Sequence, residues 1–186
     1  MSQWDKKRET MYHYDVTAHI YDMRYAEEQK AKFLAAFKNI KMEKLGLVLD
    51  VGCGTGLLFE HVAYKAETVV GVDVSKQTLL KAREPSKRFL NTHLVLADAD
   101  NLPFAENIFN HVFAFTLLQN MPEPAATLKE IKRIAKTNAF IMVSGLKNIF
   151  SQESFEKILQ DVGLRITALE SEGLKCSVAI CKKLLN

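Results

Sequence analysis

Apolar residues cluster in five short runs along the chain, and each pair of runs is separated by enough residues for a helix. The runs cover 47–51, 68–72, 93–97, 109–116 and 139–144. They are nearly continuous rather than alternating, which is typical of parallel strands covered by helices on both faces. Helical periodicity marks 26–40, 56–65, 75–84, 122–136 and 151–162. This alternation predicts an α/β fold with a mostly parallel sheet and right-handed crossovers.

The C-terminal part of the chain departs from this alternation. Two strand-like segments, 164–170 and 175–182, are separated only by a turn around Ser171-Glu172-Gly173. A turn this short joins antiparallel strands, because a parallel connection needs roughly a dozen residues or more. We therefore predict a C-terminal antiparallel hairpin.

A glycine-rich loop follows the first strand, in the stretch Asp50-Val51-Gly52-Cys53-Gly54-Thr55-Gly56. Glycines allow a sharp turn and let the backbone approach a ligand with no Cβ in the way. A helix start after the loop would offer unpaired N–H groups to a carboxylate or phosphate. The spacing differs from the G-x-G-x-x-G of dinucleotide-binding loops, because Leu57 stands at the third glycine position. Asp50 suits a ligand that carries positive charge.

Two more carboxylates end later strands. Asp73 ends the second strand, where a carboxylate can accept hydrogen bonds from ribose hydroxyls. Its alternative role is to cap the next helix, although Ser75 is the better candidate for the cap. Asp98 follows the third strand at the start of Asp98-Ala99-Asp100-Asn101-Leu102-Pro103-Phe104, and its alternative role is that of a turn residue.

In this order, the motifs resemble those of class I S-adenosylmethionine-dependent methyltransferases. The resemblance runs from about Asp15 to Gly145 and includes the D-x-G-x-G-x-G loop, the Leu-Pro-Phe turn and the strand at 109–116. Asn110 departs from the family, which usually has a mainly structural aspartate there. The resemblance implies a Rossmann-like, doubly wound, seven-stranded sheet, mostly parallel, with the antiparallel hairpin strand beside the fifth strand. We expect a single domain over 1–186.

The resemblance also implies S-adenosylmethionine as the cofactor. It assigns cofactor contacts to Asp50, Gly52, Cys53, Gly54, Gly56, Asp73, Val74, Asp98, Ala99 and Thr116. Asp50 would face the cationic groups of the cofactor. Asp98 would accept from the adenine amino group, and the Ala99 N–H would meet a ring nitrogen.

Methyl transfer from a sulfonium depends mainly on holding the nucleophile in line, and orientation alone can supply roughly 7–11 kcal/mol. A general base is required only for an acceptor that is protonated at neutral pH. No catalytic triad or metal-ligand cluster stands out, so we predict no metal. The residues considered for orienting or activating the acceptor are Gln119, Asn120, His19 and Tyr21. The stretch 118–122 lacks the Asn/Asp-Pro-Pro-Tyr/Phe of exocyclic amine methylators, which argues against that device.

Residues 1–25 are polar and aromatic, and we predict a flexible start and a lid-like segment before a core at 26–186. In the family a tyrosine near Tyr21 closes over the cofactor; alternatively, these aromatic residues only pack a capping helix. Some minimal members of the family work with a small activator subunit, so a partner of that kind is open.

Composition adds bounds on location and partners. The chain has no apolar run near the roughly 20 residues of a membrane helix and a polar, charged N-terminus, which favours a cytoplasmic protein without membrane contact. The net charge of +3 neither requires nor excludes a nucleic-acid partner. One feature supports a nucleic-acid partner: a basic stripe on the predicted helix 122–136, formed by Lys129, Lys132, Arg133 and Lys136. The alternative is that this stripe is only a solvent-exposed helix face.

The sequence leaves the methyl acceptor open among small molecules, tRNA and protein. Two other functions are alternatives: a non-catalytic cofactor-binding or scaffold protein, and, less favoured by the glycine spacing, a nicotinamide-dependent oxidoreductase.

Overall fold

A computed structural model of the chain describes residues 3–18 and 20–184, except for the side chains of Gln3 and Tyr21. Within these residues the helices are α1 (Gln3–Thr17), α2 (Tyr21–Phe37), α3 (Phe59–Val62), α4 (Lys76–Ser86), α5 (Pro124–Ile134) and α6 (Gln152–Asp161). The strands are β1 (Gly46–Val51), β2 (Ala66–Asp73), β3 (Thr92–Leu96), β4 (Phe109–Ala114), β5 (Ala135–Leu146), β6 (Leu164–Glu170) and β7 (Cys176–Lys183). Short 3-10 turns cover Ala63–Lys65 and Leu118–Asn120.

The strands form one seven-stranded sheet in the order β3-β2-β1-β4-β5-β7-β6. Strands β1 to β5 are parallel, whereas β7 runs antiparallel to both β5 and β6. The predicted fold class, including the C-terminal antiparallel hairpin and the position of its last strand beside the fifth, is confirmed. The strand order reverses between β1 and β4, and open α/β sheets bind ligands at the carboxyl ends of the strands at such a point.

Helices cover both faces of the sheet, which explains the continuous apolar runs in the sequence. One core contains side chains of α2, α3 and α4, with Phe33 and Phe59 among its buried members. The other core contains side chains of α5 and α6, with Leu128 and Phe155 among its buried members. The sheet therefore holds the carboxyl ends of its strands between two packed layers.

Several boundaries differ from the sequence prediction. The predicted helix at 56–65 contains only the four-residue α3 followed by a 3-10 turn. The predicted helix at 122–136 ends at Ile134, and β5 begins at the next residue and is longer than the predicted 139–144. As a result Lys136, expected on the helix, lies on the strand. Within 1–25, where the sequence predicts a flexible start and a lid-like segment with a capping helix as the alternative, the structure contains α1.

A glycine on β2 makes the close packing of α3 feasible. A Cβ at Gly71 would lie 2.6 Å from Phe59 Cζ and 3.0 Å from Cys53 Sγ. We expect Gly71→Ala to lower the free energy of unfolding by about 1–3 kcal/mol, because the added methyl overpacks the core. Urea unfolding followed by circular dichroism measures this loss. The double variant Gly71→Ala/Phe59→Leu should lose less stability than the sum of the two single variants, because the smaller side chain relieves the contact. If the double variant loses the full sum, the contact with Phe59 is not the cause.

Candidate active site

The glycine loop after β1 folds back onto the end of β2. The backbone N–H groups of Gly52 and Cys53 donate to the Val72 carbonyl at 2.8 and 2.9 Å. The Gly54 N–H donates to Asp73 Oδ2 at 2.9 Å. Gly54 has a φ of 54°, and no atom lies within 4 Å of the place where its Cβ would stand. The loop therefore presents bare backbone to open space.

That space is an inner cavity at the carboxyl ends of β1 to β4. Residues predicted for the site that line it are Gly52, Gly54, Asp73, Val74, Asp98, Ala99, Thr116 and Asn120. Asp50 and Cys53 line a smaller cavity that shares Gly52 and Gly54 with the inner one. Gly56 lines neither of these two cavities. A Cβ at Gly56 would stand 2.6 Å from Phe59 Cε2, so this glycine serves packing of α3.

Two buried carboxyl groups lie beside the glycine loop. Asp50 is only 4% exposed, and within the described residues no group donates a hydrogen bond to its carboxylate. Burial, and then repulsion from Asp73, raise the pKa of Asp50 to about 8. Burial also raises the pKa of Asp73, against the hydrogen bonds from the Ser75 and Gly54 amides. A cation bound beside these two carboxyl groups would stabilise their ionised forms and so lower their pKa values.

The helix-cap role considered for Asp73 belongs to Ser75. Ser75 caps α4, since its Oγ accepts from the Thr78 N–H at 3.2 Å. Asp73 Oδ1 accepts a hydrogen bond from the Ser75 N–H at 2.8 Å and so helps to position the capping residue. Burial raises the pKa of the Cys53 thiol, with Asp73 and Asp50 adding to the shift, so Cys53 is no nucleophile here.

Helix α1 covers the inner cavity and is attached around it at several points. Lys7 Nζ lies 2.5 Å from Asp98 Oδ2 and 2.6 Å from Asp100 Oδ2. Asp15 Oδ1 accepts from Ser75 Oγ at 2.5 Å. The Tyr14 hydroxyl accepts from Asn120 Nδ2 at 2.9 Å. The attachment of α1 to the ends of β2, β3 and β4 makes it the roof of the cavity.

A strained residue on the loop after β4 lines the inner cavity. Thr116 has a φ of 56°, a conformation that costs energy for a β-branched residue. Its N–H donates to Ser144 Oγ at 2.8 Å. Its Oγ1 accepts from Lys32 Nζ at 2.9 Å and from Gln29 Nε2 at 3.0 Å. Lys32, 1% exposed, is held by Glu28 at 2.9 Å. Helix α2 thus supports the loop that follows β4.

An outer cavity of about 620 Å³ adjoins the inner one, and Tyr14, Thr116 and Asn120 line both. Gln119 also lines the outer cavity, and its Oε1 is buried without a hydrogen-bond partner in the described structure. His19 and the side chain of Tyr21, the other two catalytic candidates, lie outside the described residues.

The basic stripe is largely engaged within the protein. Arg133 pairs with Glu130 at 2.7 Å, Lys132 donates to the Val162 carbonyl, and Lys136 donates to Asn110. Residues 3–18 and 20–184 contain no group of three or more His, Cys, Asp or Glu that could hold a metal ion. No helix in the same residues is long and apolar enough to span a membrane.

Comparison with protein families identifies the family of this chain. A family model described as a methyltransferase domain matches residues 49–143, which span β1 to β5 and every strand end around the inner cavity. The chain belongs to the methyltransferase domain family. The predicted family is confirmed, and the matched region is a methyltransferase domain.

Individual relatives agree with this assignment. A demethylmenaquinone methyltransferase of Staphylococcus saprophyticus is 35% identical over 120 residues, which cover 62% of this chain and 51% of the relative. The chain thus spans about half the length of the curated relatives it matches.

Two solved structures show the same fold. An Aquifex aeolicus SAM-dependent methyltransferase has a TM-score of 0.78 at 21% identity and covers 91% of this chain and 98% of that one. A chain of the complex with the Haloferax volcanii Trm112 methyltransferase activator has a TM-score of 0.76 at 16% identity and covers 92% of this chain and 98% of that one.

The sequence prediction missed the residues that α1 and α2 bring to the site. Lys7, Thr10 and Tyr14 line the inner cavity at a spacing of three and four residues, which is one helix face. That spacing was readable in the sequence, but the face is polar and so lacks the apolar periodicity that marks a helix. Nothing in the sequence indicated that Gln29 and Lys32 contact Thr116.

The raised pKa of Asp50 predicts a pH dependence of stability. The folded pKa of about 8 lies above the unfolded value of 3.8, so the folded protein binds more protons between these pH values. Stability attributable to Asp50 is therefore retained below about pH 4 and lost as the pH rises toward 8. In Asp50→Asn this loss is absent. We expect the free energy of unfolding of the variant, relative to the wild type, to increase by up to about 1.4 kcal/mol per pH unit.

Urea unfolding of both proteins at several pH values between 5 and 9 measures this difference. An Asp161→Asn variant, with the change at an exposed site on α6, is the matched control and should follow the wild type at every pH. Parallel profiles for Asp50→Asn and the wild type would contradict the buried ionisation.

Proposed function

We propose that the chain transfers a methyl group from S-adenosylmethionine, bound in the inner cavity, to an acceptor in the outer cavity. The observation that carries this proposal is the combination of the bare Gly54 backbone with the buried, donor-free carboxylate of Asp50. A ligand that presents a cation to a glycine loop fits this combination, whereas a pyrophosphate would meet two buried carboxylates. The Aquifex aeolicus neighbour is itself a SAM-dependent methyltransferase, which supports the choice of cofactor.

In this proposal, residues of the inner cavity and of the smaller cavity beside it each contact a different part of the cofactor. Asp50 balances its positive charge, and the loop from Gly52 to Gly54 meets it with backbone alone. Asp73 accepts hydrogen bonds from the ribose. Asp98 accepts a hydrogen bond from the adenine amino group. Lys7 Nζ lies 2.5 Å from Asp98 Oδ2, so the adenine either shares this carboxylate with Lys7 or displaces it. Val74, Ala99 and Thr116 complete the walls.

When bound, the cofactor supplies a methyl group activated by a sulfonium. The chain's own residues then have to orient the acceptor and exclude water, which is where most of the rate enhancement of such a displacement arises. Asn120 lines both cavities, and its Nδ2 donates to the Tyr14 hydroxyl and to the Thr116 carbonyl, both at 2.9 Å. We assign Asn120 and Gln119 to orienting the acceptor, and α1 to closing the inner cavity as a lid.

Partners and location are part of the proposal. The fold likeness to the chain complexed with the Trm112 activator supports testing a small activator subunit. Three free cysteines, all buried, fit a reducing compartment and so a cytoplasmic location. The engagement of the basic stripe within the protein leaves a nucleic-acid partner weakly supported.

Asp73 provides a direct test of cofactor binding. We expect Asp73→Asn to weaken S-adenosylmethionine binding by roughly ten- to a hundredfold, because a charged hydrogen-bond partner contributes about 1.5–3 kcal/mol. Isothermal titration calorimetry measures this affinity. Asp161→Asn, a change of the same charge far from the cavity, should bind like the wild type. A wild type that binds no cofactor, or an Asp73→Asn variant of full affinity, would refute the assignment.

Proton release provides a test of Asp50. At pH 7 a group with a pKa of about 8 is mostly protonated, so pairing its carboxylate with a cation must release a proton. We expect the calorimetric binding enthalpy of the wild type to depend on the ionisation enthalpy of the buffer, with up to one proton released per site. Asp50→Asn should lose that dependence. An equal dependence in both proteins would assign the proton to another group.

A further inference from the structure

The outer cavity has a marked excess of positive charge. Arg24, Lys147 and Lys175 line it, and in the described residues Glu28 is its one acidic lining residue. Glu28 is already neutralised, since Lys32 Nζ lies 2.9 Å from its Oε1 and Lys175 Nζ lies 3.3 Å from its Oε2. The acceptor cavity therefore favours an anion.

The passage between the two cavities lacks a base among the described residues. Its shared walls are Tyr14, Thr116 and Asn120. Burial raises the pKa of the Tyr14 phenol, so it stays protonated at neutral pH. The Thr116 hydroxyl is bound by Lys32 and Gln29. His13 lines only the outer cavity and is exposed. Because the described residues offer no base here, this passage suits an acceptor whose lone pair needs no deprotonation, and an anion is such an acceptor.

The outer cavity also has apolar walls, which include Ile20 and Leu146. We propose that the methyl acceptor is an organic carboxylate, held by the cationic rim of Arg24, Lys147 and Lys175. This inference rests on the proposed function and names its substrate class. A carboxylate oxygen donates an electron pair to the methyl carbon, the carbon–sulfur bond breaks with its pair on sulfur, and a methyl ester forms. The reaction consumes one cation and one anion and transfers no proton.

Methyl esters have a distinctive chemical signature. The full-length chain is incubated with S-adenosylmethionine labelled in the methyl group and with the small-molecule, RNA and protein fractions of a cell extract. We expect label that mild alkali releases as volatile methanol. Label that alkali does not release would overturn the carboxylate inference and leave the methyltransferase proposal standing. Absence of label from every fraction, or absence of cofactor binding by calorimetry, would overturn both.

Two variants test the roles of the rim and of the passage. We expect Arg24→Gln to raise the KM for the acceptor fraction about tenfold with little change in kcat, because it removes a cation that binds the acceptor. Lys129→Gln, an exposed change of equal charge on α5, should leave both constants unchanged. With saturating cofactor and acceptor, the rate of ester formation in His13→Gln should show the same pH profile from pH 6 to 8 as the wild type, because the transfer requires no base. A pH profile that changes in His13→Gln, or an unchanged KM in Arg24→Gln, would contradict the inference.

Discussion

The buried carboxylate of Asp50 beside Asp73 is the interaction on which the rest of the site depends. A carboxylate that is 4% exposed and lacks a hydrogen-bond donor costs the folded protein stability at neutral pH. The fold tolerates this cost at the carboxyl end of β1, where the sheet order reverses and a cavity opens. Local strain lies nearby at Thr116, which lines the neighbouring inner cavity and is supported by Ser144 and Lys32. Costs of this kind are characteristic of functional sites.

Helix α1 converts this strand edge into an enclosed site. Its attachments go to three different strand ends: Lys7 to the end of β3, Asp15 to the start of α4 after β2, and Tyr14 to the turn after β4. Because these contacts surround the inner cavity, any ligand that enters has to share them or displace them. Tyr14 and its partner Asn120 line both the inner and the outer cavity, so in the proposed function the same helix lies between cofactor and acceptor.

The acidic and basic groups are segregated between the two cavities. Asp73 and Asp98 line the inner cavity and Asp50 lines the smaller cavity beside it, whereas Arg24, Lys147 and Lys175 line the outer one. A cationic methyl donor and an anionic acceptor would each meet complementary charge and face each other across the Tyr14–Asn120 contact. The net charge of +3 for the whole chain conceals this separation, which exists only in three dimensions.

The order of elements, the fold class and the family could be predicted from the sequence because they follow from local periodicity and from motifs of fixed spacing. Asp50, Gly54, Asp73 and Asp98 could be singled out because parallel strands bring their carboxyl ends to one edge. The extent of α3 and the start of β5 required the packed structure, since neighbouring strands and helices override local propensity at element ends. The contribution of α1, the support of Thr116 by α2 and the charge of the outer cavity were decided by tertiary contacts between residues distant in sequence. No local pattern encodes such contacts.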